Sequence, residues 1–141
     1  MAGYVSPTGN VANSWVNPTN AYDEDTGTTS SRNVATYAWS TYLELTHASL
    51  QCSKVRIWTN TSVVNFSLVE IDVYYGAAWH NIYSGTWTVL TWLEYSIGST
   101  QAVTSMRARF CSVAETTKTA SIYEADFYEE AVAFIPWAII M

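Results

Sequence analysis

The chain has 141 residues, 49% of them hydrophobic, 15% aromatic and only 13% charged. That length suits one domain able to bury its own core without staples. Six Lys and Arg against twelve Asp and Glu, a net charge of -6, give no basic stripe to follow a phosphate backbone, so nucleic acid is excluded as a partner.

From Tyr4 to Asn20 the chain is polar and broken by Pro7, Gly9 and Pro18, which predicts an irregular N-terminal arm over residues 1–19 with Trp15 as a plug over one end of the core. Its start has neither a charged segment nor an apolar run, so no signal peptide is expected in this numbering. Asn20 to Thr28 follows, with Asp23, Glu24 and Asp25 consecutive, the densest group of hard oxygen donors in the chain. Calcium takes six to eight oxygens from carboxylates, hydroxyls and carbonyls, and Asp23, Asp25 and Thr28 offer part of such a shell. An acidic solvated loop with Asp side chains capping a turn is the other reading. An EF-hand is excluded, because Gly27 falls one place early and the twelfth position from Asp23 is Val34.

Alternation then predicts strands. Tyr37 to Leu45 is the first, and Val55 and Ile57 alternate with Lys54, Arg56 and Trp58. Val69, Ile71, Val73 and Tyr75 oppose Glu70, Asp72 and Tyr74, and after Gly76 the stretch Trp79 to Tyr83 returns as a hairpin. Val89 to Tyr95 is closed by Gly98-Ser99-Thr100; Met106, Ala108 and Phe110 alternate with two arginines, and Tyr123, Ala125 and Phe127 with Glu124 and Asp126. Turn signals about every ten residues, with β-branched and aromatic strands and no helical period, predict a single antiparallel β-sandwich. Cys52 and Cys111 are too few for a disulfide framework, which leaves two buried free thiols or one bridge.

Residues 131–141 are almost wholly apolar, too short to span a bilayer as a helix and interrupted by Pro136. Such a tail must dock, on its own sandwich or on a neighbouring subunit, with Phe134, Ile135, Trp137, Ile139 and Ile140 as the contact residues. Seven Trp and ten Tyr exceed what a small core needs, so several should face outward, toward sugar or another subunit. Trp58, Tyr75, Trp87 and Trp92 are the candidates for stacking on sugar rings. Catalysis has little to work with: His47 and His80 are the only histidines, there is no nucleophile elbow or zinc-ligand spacing, and each acidic residue reads as the polar face of a strand or turn.

The ordered pieces resemble the galactose-binding-like, or discoidin (coagulation factor 5/8 type C), β-sandwich that includes many carbohydrate-binding modules. Ala21-Tyr22-Asp23 followed by Thr28 resembles the family's Ala-x-Asp loop, Trp39 to Leu45 and Val55-Arg56-Ile57 its early strands, and Gly76-Ala77-Ala78-Trp79 its Gly-Trp hairpin, whose Trp is core. Met106-Arg107-Ala108 and Ile122-Tyr123-Glu124-Ala125-Asp126 resemble its last two strands. The resemblance covers residues 21–128 and implies a sandwich domain over 20–130, with Glu124 completing a structural calcium shell and Asp126 on the same face. Two functions follow as expectations. One is a non-catalytic structural or adhesive subunit of a homo-oligomeric surface assembly, on a virion, a phage appendage or an extracellular fibre. The alternative is a calcium-stabilised carbohydrate-binding module.

Overall fold

A computed structural model describes residues 2–59 and 65–131. The tail residues Phe134, Ile135, Trp137, Ile139 and Ile140, expected to form an oligomer contact, lie outside the described residues. Eight strands carry the fold: β1 Gly3–Val5, β2 Gly9–Val11, β3 Ser30–Val34, β4 Leu43–Thr59, β5 Phe66–Tyr75, β6 Ala78–Gly85, β7 Trp92–Ser112 and β8 Lys118–Glu129. All pairs are antiparallel, in the order β1-β8-β4-β7-β5-β6, with β2 added to β4 and β3 to β8. Among the described residues no helix is long and apolar enough to cross a membrane.

Two long strands make the sandwich. The second half of β4, from Lys54, pairs with β8 and with the start of β7, whereas its first half pairs with the later part of β7, which in turn carries β5. Register shifts between Thr46 and Leu50 and between Cys52 and Lys54 let β4 pass from one layer to the other, since an extra unpaired residue bends a strand and raises its twist. Gly98, at φ 96, lies inside β7. The sequence reading had it end a strand; it serves instead as the bend that only a residue without a side chain adopts readily.

The inner faces follow the alternation. Leu43 and Leu45, Val55 and Ile57, Val69, Ile71 and Val73, Met106, Ala108 and Phe110, and Ala125 and Phe127 join one buried cluster. Phe110 is its hub, with Trp15, Phe66 and Trp87 packed against its ring at centroid distances of 6.3, 6.1 and 5.3 Å. Trp15 thus plugs the core as expected, and its indole N–H donates to the Thr41 carbonyl at 3.0 Å. Gly76 and Ala77, at φ 59 and 63, form the two-residue connection of the β5–β6 hairpin.

Three local expectations are corrected. The arm is not wholly irregular, because β1 pairs with β8 and β2 with β4. Tyr37 to Tyr42 is not strand: Tyr37 takes φ 51, and only an isolated bridge joins Trp39 to Cys111 before β4 begins at Leu43. Both cysteines are free, but only Cys52 is buried and Cys111 is half-buried.

The surplus aromatics also have a structural use. On the outer face of one layer the Arg56 guanidinium lies 3.9 Å from the Tyr4 ring centre and 3.8 Å from that of Trp92. On the other layer Arg107 lies between Tyr42 and Trp79, and Arg109 between Trp39 and Tyr42. Arg107 is also paired with Asp72 and Arg109 with Glu70. These rings spend their faces on cations, which is why half-buried Trp79 sits on an outer face and not in the core.

Candidate functional site

The antiparallel register sets Arg56 opposite Asp126 on one side and Glu94 on the other, and sets Trp58 opposite Glu124 and Trp92. Because side chains alternate along a strand, these residues share the outer face of the layer formed by β1, β8, β4 and β7. β1 adds Tyr4, whose hydroxyl donates to Glu94, and the chain leaving β1 adds Ser6. The acidic turn closes over the same edge, tied down where the Glu24 backbone N–H donates to Glu124 Oε2 at 2.9 Å. The result is a concave pocket of about 260 Å³ lined by Tyr4, Ser6, Glu24, Thr26, Arg56, Trp92, Glu124 and Asp126.

Its electrostatics are lopsided. Three carboxylates, Glu24, Glu124 and Asp126, face one guanidinium, and that guanidinium is already bound: Arg56 Nε donates to Asp126 Oδ2 at 2.8 Å, and a second guanidinium nitrogen lies 2.8 Å from the same oxygen. Asp126 Oδ1 accepts only the long 3.5 Å contact from the Ser6 hydroxyl, which also reaches Glu24 at 3.3 Å. Glu124 is 3% exposed, and its Oε1 has no hydrogen-bond partner among the described residues. Burial, reinforced by the Asp126 charge and only partly opposed by the Glu24 N–H, pushes the Glu124 carboxyl up from 4.5 to about 7. Burial also raises Asp126, against the pull of Arg56. A buried carboxylate oxygen with nothing donating to it is costly, and marks a place prepared for a donor or a cation.

The structure keeps the candidate calcium residues near one another and gives most of them contacts of their own. Asp23 accepts from the Asp25 N–H at 3.0 Å and from the Thr28 hydroxyl at 2.5 Å, while Asp25 Oδ1 accepts from the Gly27 N–H at 2.7 Å. These are the capping contacts of an acidic turn. Asp126 is committed to Arg56. No three Asp, Glu, His or Cys side chains among the described residues stand close enough to hold a metal ion. Glu124 Oε1 is the one buried oxygen of these five residues without a hydrogen-bond partner among the described residues, and it lies close enough to the turn to feel the Asp23 charge.

The candidate sugar-stacking aromatics also divide. Trp87 is 8% exposed and packs edge-on against Phe110, so it belongs to the core. Tyr75 stacks face to face on His80 at 3.8 Å on the β5–β6 hairpin, apart from the pocket. Trp58 and Trp92 meet edge to face at 5.6 Å, and Trp92 lines the pocket. Tyr4, Ser6, Thr26 and Arg56 are not among the site candidates read from the sequence, and Glu24 enters there only as a member of the acidic turn. The usable signal was parity, since Arg56 shares a strand face with Trp58 and therefore with its cross-strand partners.

Compared by sequence, the chain matches no family model and no curated protein. Its fold matches solved structures. The family 32 carbohydrate-binding module of AlyQ, solved with 4,5-unsaturated mannuronic acid, superposes with a TM-score of 0.69 at 18% identity, over 91% of this chain and 99% of that one. The family 32 module of NanJ from C. perfringens, solved with galactose, gives 0.59 at 17% identity, over 92% and 93%. An F5/8 type C domain from Bacteroides fragilis gives 0.59 at 12% identity, over 93% and 98%.

Proposed function

We propose that this chain, a β-sandwich of the galactose-binding-like discoidin fold, is a non-catalytic carbohydrate-binding module acting outside the cell. Its fold is shared with modules solved in complex with sugars, and the outer-face pocket is the site we assign to the ligand. The observation that carries the assignment is the joining of an aromatic wall, Tyr4 and Trp92, to a floor of carboxylates and one guanidinium around about 260 Å³. That is below the roughly 300 to 1,000 Å³ of drug-sized ligand pockets and suits a single ring. With the ring faces of Tyr4 and Trp92 covered by Arg56, recognition rests on hydrogen bonds more than on stacking.

The assembly-subunit reading finds less support. It rested on the apolar tail, the missing signal and the low charge, while the outward aromatics were open to sugar or subunit alike, and Tyr4, Trp92, Tyr42, Trp79 and Trp39 are engaged with arginines. An immobilised glycan panel probed with the purified protein tests the proposal. Wild type should bind at least one class of glycan, and Trp92→Ala, which removes one wall of the pocket, should abolish binding while leaving the protein folded. A blank panel for well-folded protein would sink the reading.

A further inference from the structure

One side of the sandwich is left open. Among the described residues the first half of β7, from Trp92 to Gln101, pairs with β4 alone, and β6 pairs with β5 alone. These two strand edges meet where the Tyr83 and Tyr95 rings lie 4.5 Å apart. Leu93 and Tyr95 stand opposite buried Ile57 and Val55 and so point inward, and Ile82, Tyr83 and Ile97 join them against the core. All five are nevertheless half-buried, as expected of inward-facing side chains at an uncovered edge. Ala78–Gly85 contains no Lys, Arg, Asp, Glu or Pro, the residues that ordinarily keep an edge strand from pairing. A bulge at Ile82 is the safeguard it has.

We propose that residues 132–141 of the same chain cover this side, laying Phe134, Ile135, Trp137, Ile139 and Ile140 on the edge formed by β6 and the first half of β7. The place where β8 ends supports this. The Glu130 N–H donates to the Gln51 carbonyl at 2.7 Å, and Lys54 pairs with Tyr128 of β8 on one side and Ser96 of β7 on the other. Two strand spacings, about 10 Å, therefore separate the end of β8 from β7 beside Ile97. Ten residues follow and can extend to about 33 Å, enough to cross and run along the opening. They carry no charge, and Pro136, which has no N–H to donate, is tolerated in a strand added at an edge. So short a tether holds the segment at an effective concentration on the order of millimolar, above that of a second copy in solution, which favours its own sandwich.

Amide hydrogen exchange on the full chain, with sedimentation to give its mass, tests the proposal. In the wild type the amides of residues 132–141 should exchange at least about tenfold more slowly than those of a free chain, and the protein should sediment as a monomer. The double variant Ile135→Asp, Ile139→Asp should bring that segment to free-chain rates and speed exchange several-fold in β6 and the first half of β7. Unchanged protection in β4 and β8 would show that the sandwich is still folded. Ile82→Ser, on the opposite partner, should free the same segment. Free-chain exchange of residues 132–141 in the wild type, or edges that do not respond to the double variant, would overturn the proposal. A wild-type dimer that the double variant dissociates would also overturn it, by giving the segment to a second copy.

Discussion

Replacing Glu124 by Gln tests how the pocket floor is held. The carboxyl is 3% exposed and raised from 4.5 to about 7, mainly by burial. Its folded value lies above its unfolded value, so folding favours the proton. The resulting stability is fully present below about pH 4.5 and is lost as pH rises through about 7. The gap corresponds to about 3 kcal/mol of penalty for the ionised side chain at pH 8. Glutamine keeps the oxygen that accepts from the Glu24 N–H and removes the charge. In EDTA at pH 8 the variant should therefore be more stable than wild type by up to about 3 kcal/mol, on the order of 5–10 °C in Tm for a chain of this size. At pH 4 the two should agree within about 0.5 kcal/mol. Scanning calorimetry across pH 4 to 8 reads both. A variant no more stable at pH 8, or a difference that does not change with pH, would refute the picture of a desolvated carboxylate.

Other perturbations follow from particular contacts. Arg107→Ala removes the partner of Asp72, which is 5% exposed and keeps only Asn81 as side-chain donor; it should cost about 2–4 kcal/mol in urea unfolding. Lys54→Ala breaks an exposed pair with Glu94 at 3.4 Å and should cost less than about 1 kcal/mol, so similar losses for the two would contradict the burial argument. Ala77→Gly relieves a left-handed alanine in the β5–β6 turn, at φ 63 with Gly76 beside it; it should raise stability by about 0.5–1 kcal/mol, and a destabilised variant would count against that turn geometry. Burial pushes the Cys52 thiol up to about 11, so at pH 8 a thiol reagent should modify half-buried Cys111 and leave Cys52 until the protein unfolds. Equal rates in the native protein would contradict the placement of Cys52.

The fold was legible in the sequence wherever one strand face is buried. Val69, Ile71 and Val73, and Met106, Ala108 and Phe110, alternate because one face of each strand meets the core. Legibility failed where the chain turns a corner inside a strand. Gly98 reads as a terminator, yet β7 runs through it because β4 bends alongside. β1 and β2 went unseen because three residues carry no period; only pairing with β8 and β4 makes them strands. At the site, Glu124, Asp126 and Trp92 were named, but with roles taken from the acidic turn and from the count of aromatics. Counting rings cannot show that Arg56, Arg107 and Arg109 occupy their faces, since cross-strand register sets those contacts. Trp87 was misplaced for the same reason, because its sequence neighbours are polar while its partner, Phe110, comes from a distant strand.

The most direct test of a glycan site on the outer face is a two-dimensional NMR titration that follows the seven tryptophan indole N–H signals with glucosamine, galactose and mannuronate added in turn. The account predicts that at least one of the three shifts Trp92 and its neighbour Trp58, with Arg56 Nε moving alongside, while core Trp15 and Trp87 stay in place. Shifts confined to other tryptophans, or none with any of the three sugars, would contradict it.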